Sequence, residues 1–231
     1  MTSGNRGEEP LAAGNREALA SLKGVADRFL LHDRDIHNPV DDSVVALAGH
    51  RPLLVRRSRG YVPEPLFRTL PGPSVFAAGA EMKSAFALAS GDAFCPGPYL
   101  GDLTSRAVAD RYLQSAARFL DLLQVRPERT VCDLHPLYVS TRLVRELFPD
   151  LEPLRVPHHR AHLAALLADR ETEPPLLGWV LDGTGYGEDG TVWGGELLLE
   201  EGTRCLRLGH LLPAPLPGGD RSVREPWRFA A

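Results

Sequence analysis

The apolar positions of the chain change period as it runs, and the changes mark its elements. Over residues 105–125, Tyr112, Leu113, Ala116, Phe119, Leu120 and Leu123 form one stripe at helical spacing, with Pro127 just beyond as a stop. Residues 137–148 and 158–169 predict two further helices, and Leu19, Leu22, Val25 and Leu30 extend a helical reading over residues 15–29. Short apolar runs predict strands. SVFAAG and SAFALAS, separated by Ala80, Glu81, Met82 and Lys83, form a predicted β-hairpin. TVCDLHP predicts a short strand running into a polar turn, and residues 154–156, 176–181, 191–199 and 205–211 predict four more strands. Alternation of this kind marks an α/β domain. Residues 56–65 hold two prolines and no apolar period, as a linker or domain edge would, which places a boundary near residue 70. Ligands of α/β sheets gather outside the carboxyl ends of the strands. Three polar clusters fall there, at residues 132–136, 158–162 and 182–187.

Composition narrows the picture. The chain has 231 residues, 43% apolar and 24% charged, which is globular and long enough for a sizeable core. A net charge of −4 supplies no field that would draw it to nucleic acid or to an anionic membrane. It has no long apolar span and no signal-peptide pattern, so it reads as cytoplasmic, without a membrane partner. Cys95, Cys132 and Cys205 are odd in number and far apart, fitting reduced core thiols better than a disulfide framework or a zinc site. Lys23 and Lys83 are the only lysines among 26 basic residues, so a local arginine cluster carries little meaning.

The polar clusters carry the candidate chemistry. His158 and His162, at i and i+4, lie one above the other on a helical face, where two imidazoles grip one cation. Neutral imidazole suits zinc or ferrous iron with a carboxylate as third ligand, and Asp182 at the end of the following strand is the candidate. A plain zinc hydrolase fits poorly, because His159 stands where an HExxH protease keeps its base. The alternative is a set of histidines that cap a helix and meet solvent. DGTGYGEDGTVWGGE, residues 182–196, carries six glycines after an apolar strand. Gly183, Thr184, Gly185 and Gly187 there offer backbone amides to a phosphate; the alternative is a glycine-rich hairpin turning at Asp189 and Gly190. Lys83, followed by Ser84, sits in a hairpin turn where it meets either a phosphate or only solvent. LHDRDIHNPVDDSV, residues 31–44, reads on its own as a solvated charged loop.

Taken in order, several strings resemble one family along essentially the whole chain. They are TSGN with EEP, LLHDRDIHNPVDDSV, RRSRGYVP, AAGAEMKSAFALA, GDL, CDLHPLYVSTRLVREL, VPHHRAHLAA, DGTGYGEDGTVWGGE and REPWR. The family is HypF, the carbamoyltransferases of nickel-iron hydrogenase maturation. The resemblance implies the tail of a YrdC-like α/β domain with a linker over residues 1–70. Over residues 71–231 it implies the first lobe of a TsaD-like domain of the actin/Hsp70 (ASKHA) type. It also implies an ATP-dependent reaction in which carbamoyl adenylate, made from carbamoyl phosphate and ATP, passes its carbamoyl group to the C-terminal cysteine of a HypE acceptor, for cyanide ligand synthesis. Carried over by motif, His158 and His162 are metal ligands for zinc or iron, with Asp182 beside them, and Thr2, Ser3 and Asn5 belong to the YrdC-like pocket. Magnesium is a further candidate ion. Pro157 and Arg160 depart from the Gln and His usual at those places.

The motifs begin inside the YrdC-like domain and stop before the second lobe. The chain is therefore expected to be an incomplete copy with half of the transfer site; the alternative is an inactive fragment serving as a binding or structural module. Double-stranded RNA, linked to YrdC-like proteins, is the weakest partner expectation against the acidic balance. Carbamoyl adenylate has a good leaving group, so the remaining tasks are to position the thiolate and to stabilise the oxyanion. No covalent enzyme intermediate is required, and Cys132 and Cys205 are not assigned as nucleophiles.

Overall fold

The structure, a computed structural model, describes residues 4–5, 7, 9–67, 72–170, 172–219 and 221–230. It is a mixed α/β chain of two compact units, Met1–Arg155 and Val156–Ala231. Among the described residues no helix is long and apolar enough to cross a membrane.

In the first unit, α1 spans Asn15–Ser21. Glu17 fixes its start, Oε2 accepting from the amides of Ala13 at 2.9 Å and Gly14 at 3.2 Å. The helix stops well before the predicted residue 29. Gly24 turns the chain at φ +82°, and Leu30, the last apolar member of the stripe, is fully exposed, so no packing sustains a longer helix. β1 (Val44–Ala48) and β2 (Arg51–Arg56) form an antiparallel hairpin. The stretch read as a linker is tied down locally, since Arg57 Nη2 donates to the carbonyls of Tyr61 and Glu64, both at 2.9 Å.

The main sheet of this unit has six strands: β3 (Leu66–Phe67), β4 (Val75–Ala77), β5 (Ala87–Ser90), β6 (Ala93–Pro96), β7 (Arg129–Asp133) and β8 (Leu154–Val156). Their order is β3-β6-β5-β4-β7-β8. β4 and β5 are the predicted hairpin, with Phe76 opposite Leu88, and β4 also pairs in parallel with β7. Two helices accompany the sheet, α2 (Arg106–Leu123) and α3 (Val139–Leu147). The apolar stripe of α2 is buried as its spacing predicts, through Val108, Tyr112, Ala116 and Phe119. Phe86 meets Tyr112 and Phe119 edge-on, with centroids at 5.6 and 5.3 Å. Tyr112 is wholly buried and its hydroxyl donates to the Ala78 carbonyl at 2.8 Å; burial holds the phenol far above its ordinary pKa, so it stays a neutral donor.

The second unit packs α4 (His158–Arg170) on a three-stranded antiparallel sheet of β9 (Leu176–Tyr186), β10 (Val192–Glu201) and β11 (Arg204–His210). β10 is central. Strand alternation sends Val180 and Leu198 toward Leu163 of α4, with Trp193 completing this small core. On β9 the alternate residues Leu177, Trp179 and Leu181 are exposed. A short helix, α5 (Arg221–Arg224), and a 3₁₀ turn at Pro226–Ala230 follow.

Candidate metal centre

Helix α4 supplies the histidines. The Pro157 carbonyl accepts from the Ala161 amide at 3.0 Å to start the helix, and the alanines and leucines after it favour helix. His159 and Leu163, one turn apart, are 0% and 2% exposed, which leaves His158 and His162 on the neighbouring face. Their rings stand 4.8 Å apart between centroids and at 82° to each other. Asp182 brings Oδ2 to 3.2 Å from His158 Nε2. One ligand atom from each of the three residues lies within 4.8 Å of the others. Ligand atoms about 2.0–2.2 Å from a tetrahedral zinc are separated by roughly 3.3–3.6 Å, so small side-chain rotations close this set on an ion. The carboxylate favours that outcome. Its Oδ1 accepts from the Gly183 amide at 2.7 Å, while the buried Oδ2 faces His158 Nε2, the ring nitrogen with which it would share a cation.

Asp182 reaches the histidines through an irregularity in the sheet. β9 does not end at the predicted residue 181 but runs on to Tyr186. Leu181 pairs with Gly195 and Gly185 with Trp193, so Asp182, Gly183 and Thr184 stand opposite Gly194 alone. Such a bulge bends the strand and re-aims its side chains. The glycine-rich stretch is thus a hairpin, closed at Asp189 and Gly190, and of its six glycines only Gly190 has a positive φ, +74°. Close packing explains two of the others. A Cβ on Gly185 would lie 2.5 Å from His159 Cε1, and one on Gly187 2.0 Å from Trp193 Nε1. Gly183 and Thr184 are exposed on the bulge.

The hairpin is held beyond its turn. Asp189 Oδ1 accepts from Thr191 Oγ1 at 2.7 Å and from Trp193 Nε1 at 2.9 Å. Arg207 donates to Asp189 at 3.1 Å and to the buried Glu196 at 2.7 Å, with its guanidinium 4.3 Å from the centre of the Trp193 ring. The Thr191 hydroxyl first, then its amide, hold the Asp189 carboxyl down at about 2. A carboxyl depressed in the folded state contributes stability above its unfolded value, 3.8, and loses it as pH falls toward 2. The stability advantage of the native chain over Asp189→Asn is therefore expected to be constant above pH ~5 and to shrink between pH ~4 and ~2, read from unfolding midpoints.

The remaining predicted residues are placed separately. Lys83 is exposed in the turn after β4 at φ +50°, and Ser84 beside it is buried with its Oγ unpartnered. Asn5 donates to the Glu9 carbonyl at 2.8 Å, whereas Thr2 and Ser3 lie outside the described residues. Cys95, Cys132 and Cys205 are free thiols as expected. Burial pushes all three up, Cys205 to about 11 with Glu200 adding to the shift, so they are protonated at neutral pH. Sequence reasoning missed two features of α4. Arg160 forms a two-point ion pair with the buried Glu200, at 2.8 and 3.1 Å. His159 is a core residue, and the signal was available in its i, i+4 spacing to Leu163. A cavity of about 210 Å³ adjoins the cluster, bounded by His162, Asp182, Leu166 and Trp179.

Comparison with known proteins bears on the same segments. The family model described as HypF Kae1-like domain matches residues 71–169, and that of the carbamoyltransferase Kae1-like domain, second subdomain, matches residues 178–231. A YrdC-type model described as telomere recombination matches residues 1–58. The chain is 46% identical to carbamoyltransferase HypF2 of Cupriavidus necator, over 100% of this chain and 29% of that protein. It is 42% identical to carbamoyltransferase HypF of Rhizobium leguminosarum, over 99% and 30%. A crystal structure of full-length HypF in the phosphate- and nucleotide-bound form superposes with a TM-score of 0.93 at 38% identity, covering 99% of this chain and 30% of that one. The HypF of T. kodakarensis superposes at 0.88, covering 96% and 29%. The chain thus spans about 30% of the length of the curated relatives it matches. With HypF-specific models over both later segments and HypF relatives aligned from end to end of its sequence, the chain belongs to the HypF carbamoyltransferase family.

Proposed function

We propose that the chain serves ATP-dependent carbamoyl transfer in hydrogenase maturation and contributes the metal-holding part of the transfer site. The observation that carries this reading is the convergence of His158, His162 and Asp182 within 4.8 Å, with Asp182 Oδ2 facing His158 Nε2 at 3.2 Å. These three would hold one zinc or iron ion, which when bound supplies Lewis-acid polarisation of a carbamoyl oxygen or orients a phosphate. The open cavity of about 210 Å³ beside them has room for a carbamoyl group. Leu166 and Trp179 give it an apolar wall. Lys83, in the first unit, offers a point charge to a phosphate; in the second unit the exposed backbone at Gly183 and Thr184 is open to a phosphate, and Gly185 and Gly187 shape the hairpin that carries it.

In this reading the donor is carbamoyl adenylate, formed from carbamoyl phosphate and ATP, with Thr2, Ser3 and Asn5 in the pocket that makes it and magnesium accompanying the nucleotide. The acceptor is the C-terminal cysteine of a HypE protein in the cytoplasm. Its sulfur bonds to the carbamoyl carbon, the carbon–oxygen bond to phosphate breaks, AMP leaves with the electron pair, and the thiol proton passes to solvent. The high thiol pKa values of the chain agree with direct transfer, without a cysteine intermediate.

The test supplies ATP, carbamoyl phosphate and HypE to the chain, alone and with the remaining segments of a HypF relative added in trans, and weighs the acceptor by mass spectrometry. Carbamoylation that needs this chain and is lost with His158→Ala is the expected result. Transfer indifferent to His158→Ala overturns the site. No transfer under either condition favours a binding or structural module.

A further inference from the structure

The bulge that carries Asp182 leaves one residue, Gly194, facing three, and Gly194 has no partner in the ladder register of β9 and β10. Unpaired peptide groups inside a sheet are costly unless side chains replace the lost bonds. Both are replaced. The Gly194 amide donates to Glu196 Oε1 at 3.1 Å, and the Gly194 carbonyl accepts from His159 Nε2 at 2.9 Å. His159 is 0% exposed, its Nδ1 is buried with no hydrogen-bond partner, and its ring lies edge-on to Trp193 with centroids 5.8 Å apart. It also abuts Gly185, the residue that closes the bulge on the far side of Thr184.

We infer that His159 is a positioning residue for the metal centre: by donating to the Gly194 carbonyl it locks the bulge that presents Asp182 to His158. The inference rests on the proposed metal reading. One helix then performs two tasks. One face gives His158 and His162 to the ion, and the buried face gives His159 to the strand opposite the third ligand, so a hydrogen bond at the bulge itself ties the helix to the backbone that presents the carboxylate. Partners that orient metal ligands are worth about 10- to 100-fold in metal affinity.

Cobalt(II) titration of the full chain, followed by its visible absorption, tests this against two variants. His159→Phe keeps the ring volume and loses the donor; His159→Gln returns an N–H near the place of Nε2. The expected result is affinity lowered about 10- to 100-fold with an altered spectrum for His159→Phe, and recovery to within about threefold for His159→Gln. A general loss of packing would leave the glutamine variant unrescued. Equal affinity and spectrum in the native chain and His159→Phe overturn the inference while the metal reading stands. Failure of the native chain to bind cobalt overturns the metal reading. A measurement on the native chain decides even if the phenylalanine variant does not fold. Nitrogen-15 histidine spectra should show His159 as the neutral Nε2–H tautomer, with a slowly exchanging proton that persists when cobalt or zinc is added. A proton on Nδ1, or a His159 nitrogen taken by the metal, overturns the inference.

Discussion

Replacing His158 or His162 with alanine is expected to lower the affinity of the chain for zinc by at least about 100-fold, more than the loss of a supporting residue costs. Among the described residues each imidazole is one of three candidate ligands converging here, and two ligands do not enclose an ion. The loss is expected without unfolding. Both side chains lie on the face of α4 beside the core rather than among its buried residues, and alanine is the best helix former, so the metal-free variants should melt with the native chain. Zinc separates them: a ligand that binds only the folded state raises the melting temperature in proportion to the logarithm of its excess over Kd, and this rise should appear for the native chain alone. Calorimetric titration of zinc into the three proteins, with the melting series beside it, checks both halves.

The second large effect concerns stability. Arg160→Ala is expected to destabilise the second unit by about 2–3 kcal/mol, below the ~3–5 kcal/mol that breaking a fully buried ion pair costs because the arginine itself is partly exposed. Glu200 is only 4% exposed, and both of its carboxylate oxygens bond to the Arg160 guanidinium. Removing the arginine leaves that charge buried without compensation. Adding Glu200→Leu in the same chain should restore most of the loss, since an apolar side chain there removes the stranded charge and packs beside Leu198 and Cys205. Trp179, Trp193 and Trp227, the three tryptophans of the chain, all lie in the second unit, so their fluorescence follows its unfolding in urea. A loss below about 0.5 kcal/mol would mean the pair is no more than a surface contact. Arg160 thereby has a structural role, an anchor between α4 and β10 two residues from each of the metal-facing histidines.

What could be read from sequence follows from how local the cause is. The helix over residues 106–123 was legible because its apolar spacing matches the face it buries, and those over 139–147 and 158–170 were legible as segments alternating with strands. The histidine pair was legible because i, i+4 is a property of the helix alone. The supposed helix over residues 15–29 failed because periodicity does not reveal whether a stripe has anything to pack on, and Leu30 has nothing. The position of Asp182 depended on long-range pairing. A strand boundary set by the end of an apolar run, at residue 181, conceals a bulge whose signature is the adjacent Gly194 and Gly195 on the opposite strand. His159 was legible only in outline: its spacing to Leu163 places it in the core, but its bond to the Gly194 carbonyl belongs to the tertiary structure.

X-ray absorption at the zinc edge, on the chain loaded with one equivalent of zinc and dialysed, addresses the centre itself. The expected spectrum shows two imidazole nitrogens and a carboxylate oxygen at about 2.0–2.2 Å, with remaining positions open to lighter ligands. Zinc that washes out on dialysis would contradict the assignment of His158, His162 and Asp182, as would an identical spectrum from the chain with both histidines replaced by alanine.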